Sequence, residues 1–170
     1  MKKLIDDVTM NRTLRRITHE IIEQNAQLEQ IVLVGIKKKG YPLAKMISEN
    51  IKKFESVDIL VYGLDVSPYR DDDKKQEISI DHFPVQDKVV ILVDDVLQTG
   101  RTVRAAMDAI IDFGRPHKIQ FAVLVDRGHR ELPIRPDYIG KNIPTSSDEV
   151  VKVQFETEPG IYILSKGEVE

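Results

Sequence analysis

The stretch VVILVDDVLQTGRTVRAAMDAI, residues 89–110, constrains this chain more than any other. Residues 89–93 form a short apolar run rich in β-branched side chains, which marks a strand buried on both faces. Asp94 and Asp95 stand side by side at its end. The loop Leu97, Gln98, Thr99, Gly100, Arg101, Thr102 follows. Val103, Ala106, Met107, Ile110 and Ile111 then recur at helical spacing. A buried strand feeding a short loop and an amphipathic helix is half of a βαβ unit, which requires a parallel sheet covered by helices.

The rest of the chain repeats this grammar. Thr9 is placed to cap a first helix whose apolar positions are Met10, Leu14, Ile17 and Ile21. IVLVGI at 31–36 reads as a second buried strand. After a loop at 37–40, Pro42 suits the first turn of a helix running to about residue 52. Further strands are expected at 57–66, 119–125 and 137–143, and Gly114 and Pro116 stop the helix that carries Val103 to Ile111. Residues 67–79 are charged and aperiodic, as in a mobile loop. The tail alternates at Val151, Val153 and Phe155, turns at Pro159 and Gly160, and returns through IYIL, an antiparallel hairpin. No repeat, low-complexity tract or linker divides the 170 residues. The expected fold is α/β: one domain, 1–170, with a central, mainly parallel sheet flanked by helices and a C-terminal hairpin.

Composition removes several function classes. Without cysteine there is no disulfide and no thiol catalysis, which suits a cytoplasmic place of action. The four histidines show no metal-ligand spacing, so the protein itself is expected to ligate no metal. No apolar run approaches the roughly 20 residues that span a bilayer, so no membrane partner is expected. The net charge of −3 means that any nucleic-acid binding must use a local basic patch.

The acid pair carries the chemistry. Ligands on parallel sheets bind beyond the carboxyl ends of the strands, where Asp94 and Asp95 stand. Adjacent carboxylates repel and are costly to desolvate, and a ligand offering hydroxyls or a cation offsets that cost. The loop after them opens a helix, whose first amides lack internal partners and carry partial positive charge. Gly100 permits close backbone approach, while Thr99 and Thr102 add hydroxyls, which together make a cup for phosphate. Diol-binding acids just ahead of a phosphate cup fit a ribose 5-phosphate. The plainer alternative is a capped helix preceded by solvated acids.

The segment VVILVDDVLQTGRT closely resembles the signature for phosphoribosyl pyrophosphate (PRPP) of the type I phosphoribosyltransferases. The resemblance implies that Asp94 and Asp95 hold the ribose hydroxyls and that Leu97, Gln98, Thr99, Gly100, Arg101 and Thr102 wrap the 5-phosphate. VGIKKKG then resembles the pyrophosphate loop, with Lys37, Lys38, Lys39 and Gly40 as its members and a non-proline cis peptide expected near Ile36–Lys37. Relatives often carry arginine where Lys39 stands. In isolation, three lysines between glycines read equally well as a solvated turn.

Between about residues 14 and 146 the chain further resembles one subgroup, the PyrR family of pyrimidine-operon attenuators. The segments carrying this are RRITHEIIE, LVGIKKKG, YRDD, GRTVRAAMDAI and VLVDRGHRELPIRPDYIGKNIPTS. It implies a bifunctional regulator: uracil phosphoribosyltransferase activity with PRPP, uracil and UMP, and UMP-dependent binding of the leader mRNA of pyrimidine operons. Mg²⁺ is implied as a cofactor carried with PRPP, and a homo-oligomer is implied as well. The loop residues Tyr69, Arg70, Lys74 and Lys75 are expected to reach the pyrophosphate. The base-binding segment is expected near 125–137, through Val125, Asp126, Arg127, Leu132 and Ile134. The RNA-binding residues implied are Arg16, His19, His129, Arg130, Arg135 and Lys141; Arg15 and Gln24 depart from relatives on this face, where threonine and arginine stand. The rival readings are a phosphoribosyltransferase for another base and a regulator with little or no turnover.

Overall fold

The structure, a computed structural model, describes residues 1–69 and 82–169. The loop candidates Arg70, Lys74 and Lys75 lie outside the described residues. In chain order the elements are β1 (Lys2–Asp6), α1 (Asp7–Gln24), β2 (Ile31–Ile36), α2 (Gly40–Glu55), β3 (Leu60–Leu64), β4 (Val89–Leu97), α3 (Arg101–Phe113), β5 (Lys118–Asp126), β6 (Tyr138–Asn142), β7 (Glu149–Gln154) and β8 (Gly160–Ser165). Five strands form a parallel sheet in the order β3-β2-β4-β5-β6, and three form an antiparallel sheet in the order β1-β8-β7.

The period-two rule of strands divides the core. Ile31 and Leu33 of β2, with Val89, Ile91 and Val93 of β4, join α1 and α2 in one apolar cluster. Val32, Val34 and Ile36, with Val90 and Leu92, join α3 in the other. Both central strands are therefore apolar on both faces, as their continuous apolar sequence requires. Met10, Leu14, Ile17 and Ile21 of α1 are all buried, each contributing roughly 1.5–3 kcal/mol at most.

Several expectations are corrected. The cap of α1 is Asp6, whose carboxylate accepts the Thr9 N–H at 2.8 Å; Thr9 itself lies inside the helix. A carboxylate there satisfies an orphan donor and complements the helix dipole as well. The segment KKLID is a strand that the sequence pattern did not mark, because it is largely exposed and is held by pairing with β8. β3 is shorter than 57–66, and α2, with Pro42 in its first turn as expected, runs past residue 52 to Glu55. Ile111 is 62% exposed, since the buried face of α3 is built from Val103, Ala105, Ala106, Ala109 and Ile110. Phe155 lies just beyond β7. β4 runs on to Leu97, so the acid pair sits within the strand, where Asp94 pairs with Val123 of β5.

Candidate functional site

Asp94 and Asp95 stand at the carboxyl end of the central strand with little to neutralise them. The Asp95 N–H donates to Asp94 Oδ1 at 2.8 Å, and the Val96 N–H to Asp95 Oδ1 at 2.9 Å. Burial, and then the charge of Asp95 beside it, push the Asp94 carboxyl well above the usual carboxylate range. Among the described residues, the compensation shown is from these local backbone amides, which supply hydrogen bonds but no positive charge.

A cavity of about 520 Å³ opens beside Asp94. Gln98, Thr99, Gly100, Arg101 and Thr102 line it, so the acid and the loop that opens α3 face one space. Gly100 has φ 94°, a left-handed conformation that strains any residue with a Cβ. That turn aims the start of α3 into the cavity. The Thr99 hydroxyl accepts the Arg101 N–H at 3.2 Å, and Arg101 pairs with Glu131 at 2.8 Å.

The lysine loop reaches the same place through Gly40. A Cβ on Gly40 would overlap the Val93 carbonyl oxygen and lie 3.2 Å from Asp94 Cα. The start of α2 thus rests on β4 immediately before the acid pair. The loop contains a cis peptide at Lys37–Lys38, one bond later than expected. Its side chains diverge. Lys37 crosses Gly63 on β3, Lys38 is exposed, and Lys39 donates to the Val153 carbonyl at 2.9 Å with its ammonium 5.6 Å from the Phe155 ring centroid.

The segment after β5 is bonded to the loop that opens α3. Arg127 N–H donates to the Leu97 carbonyl at 3.0 Å, and the Glu131 and Leu132 N–H groups both donate to the Thr99 carbonyl, at 2.9 and 3.1 Å. Of the five expected base-binding residues, Arg127 lines the cavity beside Asp94. Val125 is fully buried, and Asp126 is buried in an ion pair with Arg130 at 2.6 Å. Burial alone raises the Asp126 carboxyl, but the hydrogen bonds of Arg130 and Gly128 outweigh it and hold the group below the usual range. Leu132 and Ile134 pack near Gly100 and line a second cavity of about 910 Å³. Val96 of β4 and Val150 and Val151 of β7, which line the first cavity, were not anticipated. Val151 belongs to an alternation visible in the sequence, but only the packing of the hairpin against the large sheet brings it to the site.

The six basic candidates gather largely around β6. His129, Arg130 and Arg135 line the second cavity together with Ile139 and Asn142 of that strand. Arg16 of α1 donates to the Gly140 carbonyl at 2.5 Å, one residue from Lys141. His19 lies further along α1, stacked on Phe54 at 4.5 Å. Tyr69 packs beside α3, and burial, then its hydrogen bond to Asp112, raise its hydroxyl above the usual range.

Acid pair, amide cup and glycine-tight lysine loop on a parallel sheet define a type I phosphoribosyltransferase. A family profile described as a phosphoribosyl transferase domain matches residues 5–158. Solved hypoxanthine phosphoribosyltransferases share the fold: one from Staphylococcus aureus has a TM-score of 0.79 at 18% identity, covering 100% of this chain and 94% of that one. A hypoxanthine-guanine phosphoribosyltransferase from Bacillus anthracis has a TM-score of 0.76 at 21% identity, covering 97% and 98%. Proteins named bifunctional protein PyrR are much nearer in sequence. The Clostridium kluyveri protein is 61% identical over 157 residues, 89% of each chain, and the Streptococcus gordonii protein is 54% identical over 170 residues, 98% of each. The chain belongs to the PyrR family of phosphoribosyltransferases.

Proposed function

We propose that the protein joins uracil to the ribosyl 5-phosphate of PRPP, giving UMP and pyrophosphate, and that its UMP-bound form grips the leader mRNA of pyrimidine operons. The observation that carries the first half is the shared cavity of Asp94 and the Gln98–Thr102 loop. In this reading the C1–O bond to pyrophosphate breaks with its electron pair leaving on the pyrophosphate. The N1 of uracil bonds to C1, and its proton passes to solvent. Asp94 and Asp95 hold the ribose hydroxyls and stabilise the positive charge that develops at C1. The first amides of α3 hold the 5-phosphate, and the amides of the 37–40 loop hold the leaving group. Val96, Val150 and Val151 give the cavity an apolar side against which a pyrimidine ring fits.

Among the described residues, no group of three His, Asp or Glu side chains is placed to hold a metal ion alone. The uncompensated acid pair fits a cation that arrives with the substrate. Mg²⁺ bound to PRPP would neutralise charge on the pyrophosphate as it leaves. Asp94 and Asp95 are the residues that would meet it, through water or through the ribose.

The second half rests on the basic cluster along β6 and on membership of a family named for two functions. Phosphate contacts by Arg and Lys release counterions, so RNA affinity falls steeply with salt. The reading includes a homo-oligomer, checked by sedimentation. No helix among the described residues is long and apolar enough to cross a membrane, and the proposed place of action is the cytoplasm. The test is a UMP-formation assay beside titration of a pyrimidine-operon leader transcript with and without UMP. A purine nucleotide as the preferred product, or RNA binding without turnover, would favour the rival readings.

A further inference from the structure

We infer that Arg127 is a positioning residue that couples the phosphate cup to the basic surface, an inference that rests on the bifunctional reading above. Arg127 is 6% exposed. Among the described residues no carboxylate lies within ion-pair distance of it. Its side-chain partners are all neutral. Nε donates to Thr145 Oγ1 at 2.8 Å, Nη1 to Gln98 Oε1 at 3.4 Å, and Nη2 to the carbonyls of Ser146 at 3.3 Å and Glu149 at 2.6 Å. A buried cation satisfied in hydrogen bonds but not in charge is an incomplete arrangement. Arg127 lines the cavity with Gln98, Thr99, Gly100, Arg101 and Thr102. The 5-phosphate held by that loop is the anion this guanidinium lacks.

The same side chain grips the far loop. Thr145, Ser146 and Glu149 belong to the segment that leads into β7, whose Val150 and Val151 also wall the cavity. The carbonyl of Thr145 meets His129 Nε2 at 2.5 Å. A carbonyl only accepts, so Nε2 carries the proton in this contact. A hydrogen-bonded line therefore runs from Gln98 in the cup through Arg127 and Thr145 to His129 on the basic surface. Phosphate in the cup holds Arg127 in place, Arg127 holds Thr145, and Thr145 sets the position of His129. This is how UMP makes the RNA surface ready. By linkage, RNA on that surface tightens UMP by the same factor.

The test uses Thr145→Val, which removes the Nε acceptor and keeps the side-chain shape, and Arg127→Lys, which keeps the charge and loses the fork. Dissociation constants are measured for a leader transcript with and without saturating UMP, and for UMP with and without transcript. For Thr145→Val, the separate affinities for UMP and for RNA stay within about twofold of wild type, while the UMP-induced tightening falls about fivefold or more, to the low end of ordinary allosteric coupling. The reciprocal tightening falls by the same factor. Arg127→Lys also loses the coupling, and if it does not fold, Thr145→Val alone decides. Retention of the wild-type tightening factor in folded Thr145→Val overturns the inference. So does weakening of both separate affinities with the factor unchanged, the mark of a merely structural role. A wild type whose RNA affinity ignores UMP overturns the bifunctional reading itself, and the coupling with it, before any variant is made.

Discussion

Arg130 clasps Asp126 with both terminal nitrogens, at 3.0 and 2.6 Å, and gives its Nε–H to the Ile134 carbonyl at 2.6 Å. It is therefore a staple of the loop as well as a basic group on the surface. Arg130→Gln leaves a buried carboxylate without its cation. The expected cost is about 2–3 kcal/mol, below the figure for a fully buried pair because Arg130 is partly exposed to solvent. Asp126 lies below its unfolded value of 3.8, so its stabilisation is present above pH 3.8 and is lost as pH falls through the lower folded value. Urea denaturation of wild type and variant should show a gap at neutral pH that closes in acid.

Arg135 and Lys141 give the cleaner test of RNA binding. Among the described residues neither makes a hydrogen bond or ion pair through its side chain. Arg135→Gln and Lys141→Gln should each weaken leader-RNA binding and leave UMP formation near wild type. If each removes one phosphate contact, the slope of log affinity against log salt falls by about 0.7–0.9 per substitution. Salt titrations of both variants at saturating UMP measure it, and unchanged slopes would place the RNA elsewhere.

Asp94→Asn should separate binding from stability. The folded carboxyl of Asp94 holds its proton to a higher pH than the unfolded one. Its favourable contribution is full below pH 3.8 and is lost as pH rises from there through the raised folded value, at about 1.4 kcal/mol per unit of displacement. Ligand-free wild type therefore loses stability across that window, and Asp94→Asn does not. At pH 7 the variant melts higher than wild type. Asp94→Asn and Asp95→Asn both lose PRPP use, on the order of 10²–10³-fold, as charge-assisted hydrogen bonds to the ribose are replaced by neutral ones. Melting curves against pH and PRPP kinetics check the two halves separately.

Gly40→Ala should damage the 37–40 loop, which the proposed function assigns to the leaving group. The new Cβ overlaps the Val93 carbonyl oxygen, and backbone on both sides must shift. The expected destabilisation is about 1–3 kcal/mol, as for other overpacked contacts. Because α2 starts at this residue, the KM for PRPP should rise more than that for uracil. Steady-state kinetics with each substrate varied in turn measures the difference.

Most of the large sheet was legible because its strands announce themselves. A run such as IVLVGI is apolar at every position, which only a doubly covered strand explains. The acid pair and the loop after it stood out as a candidate site for a related reason, since adjacent carboxylates at the end of such a strand repel and are costly to desolvate. β1 was not legible: KKLID has no apolar alternation and owes its strand state to hydrogen bonds with a segment far away in sequence. The cavity wall at Val150 and Val151 was visible as a strand pattern but not as part of the site, because periodicity says which face is buried and not against what. The contacts of Lys39 with the Val153 carbonyl and the Phe155 ring have the same origin, since its charge suggested an anion and periodicity could not show which segment it also meets.

The pairing of Lys2 with Ile163 and of Val151 with Ile163 puts β1 and β7, far apart in sequence, on either side of one strand, β8. During synthesis the first strand leaves the ribosome long before its partner exists, while the parallel sheet can already form. The wall that Val150 and Val151 give the cavity closes only when β8 arrives to join β7 and β1 together. Such long-range closure makes for slow maturation. A nascent or prematurely terminated chain can thus carry the whole Asp94–Thr102 segment and still have an open-sided cavity; under the proposed function, its response to nucleotide would begin only once the hairpin has emerged.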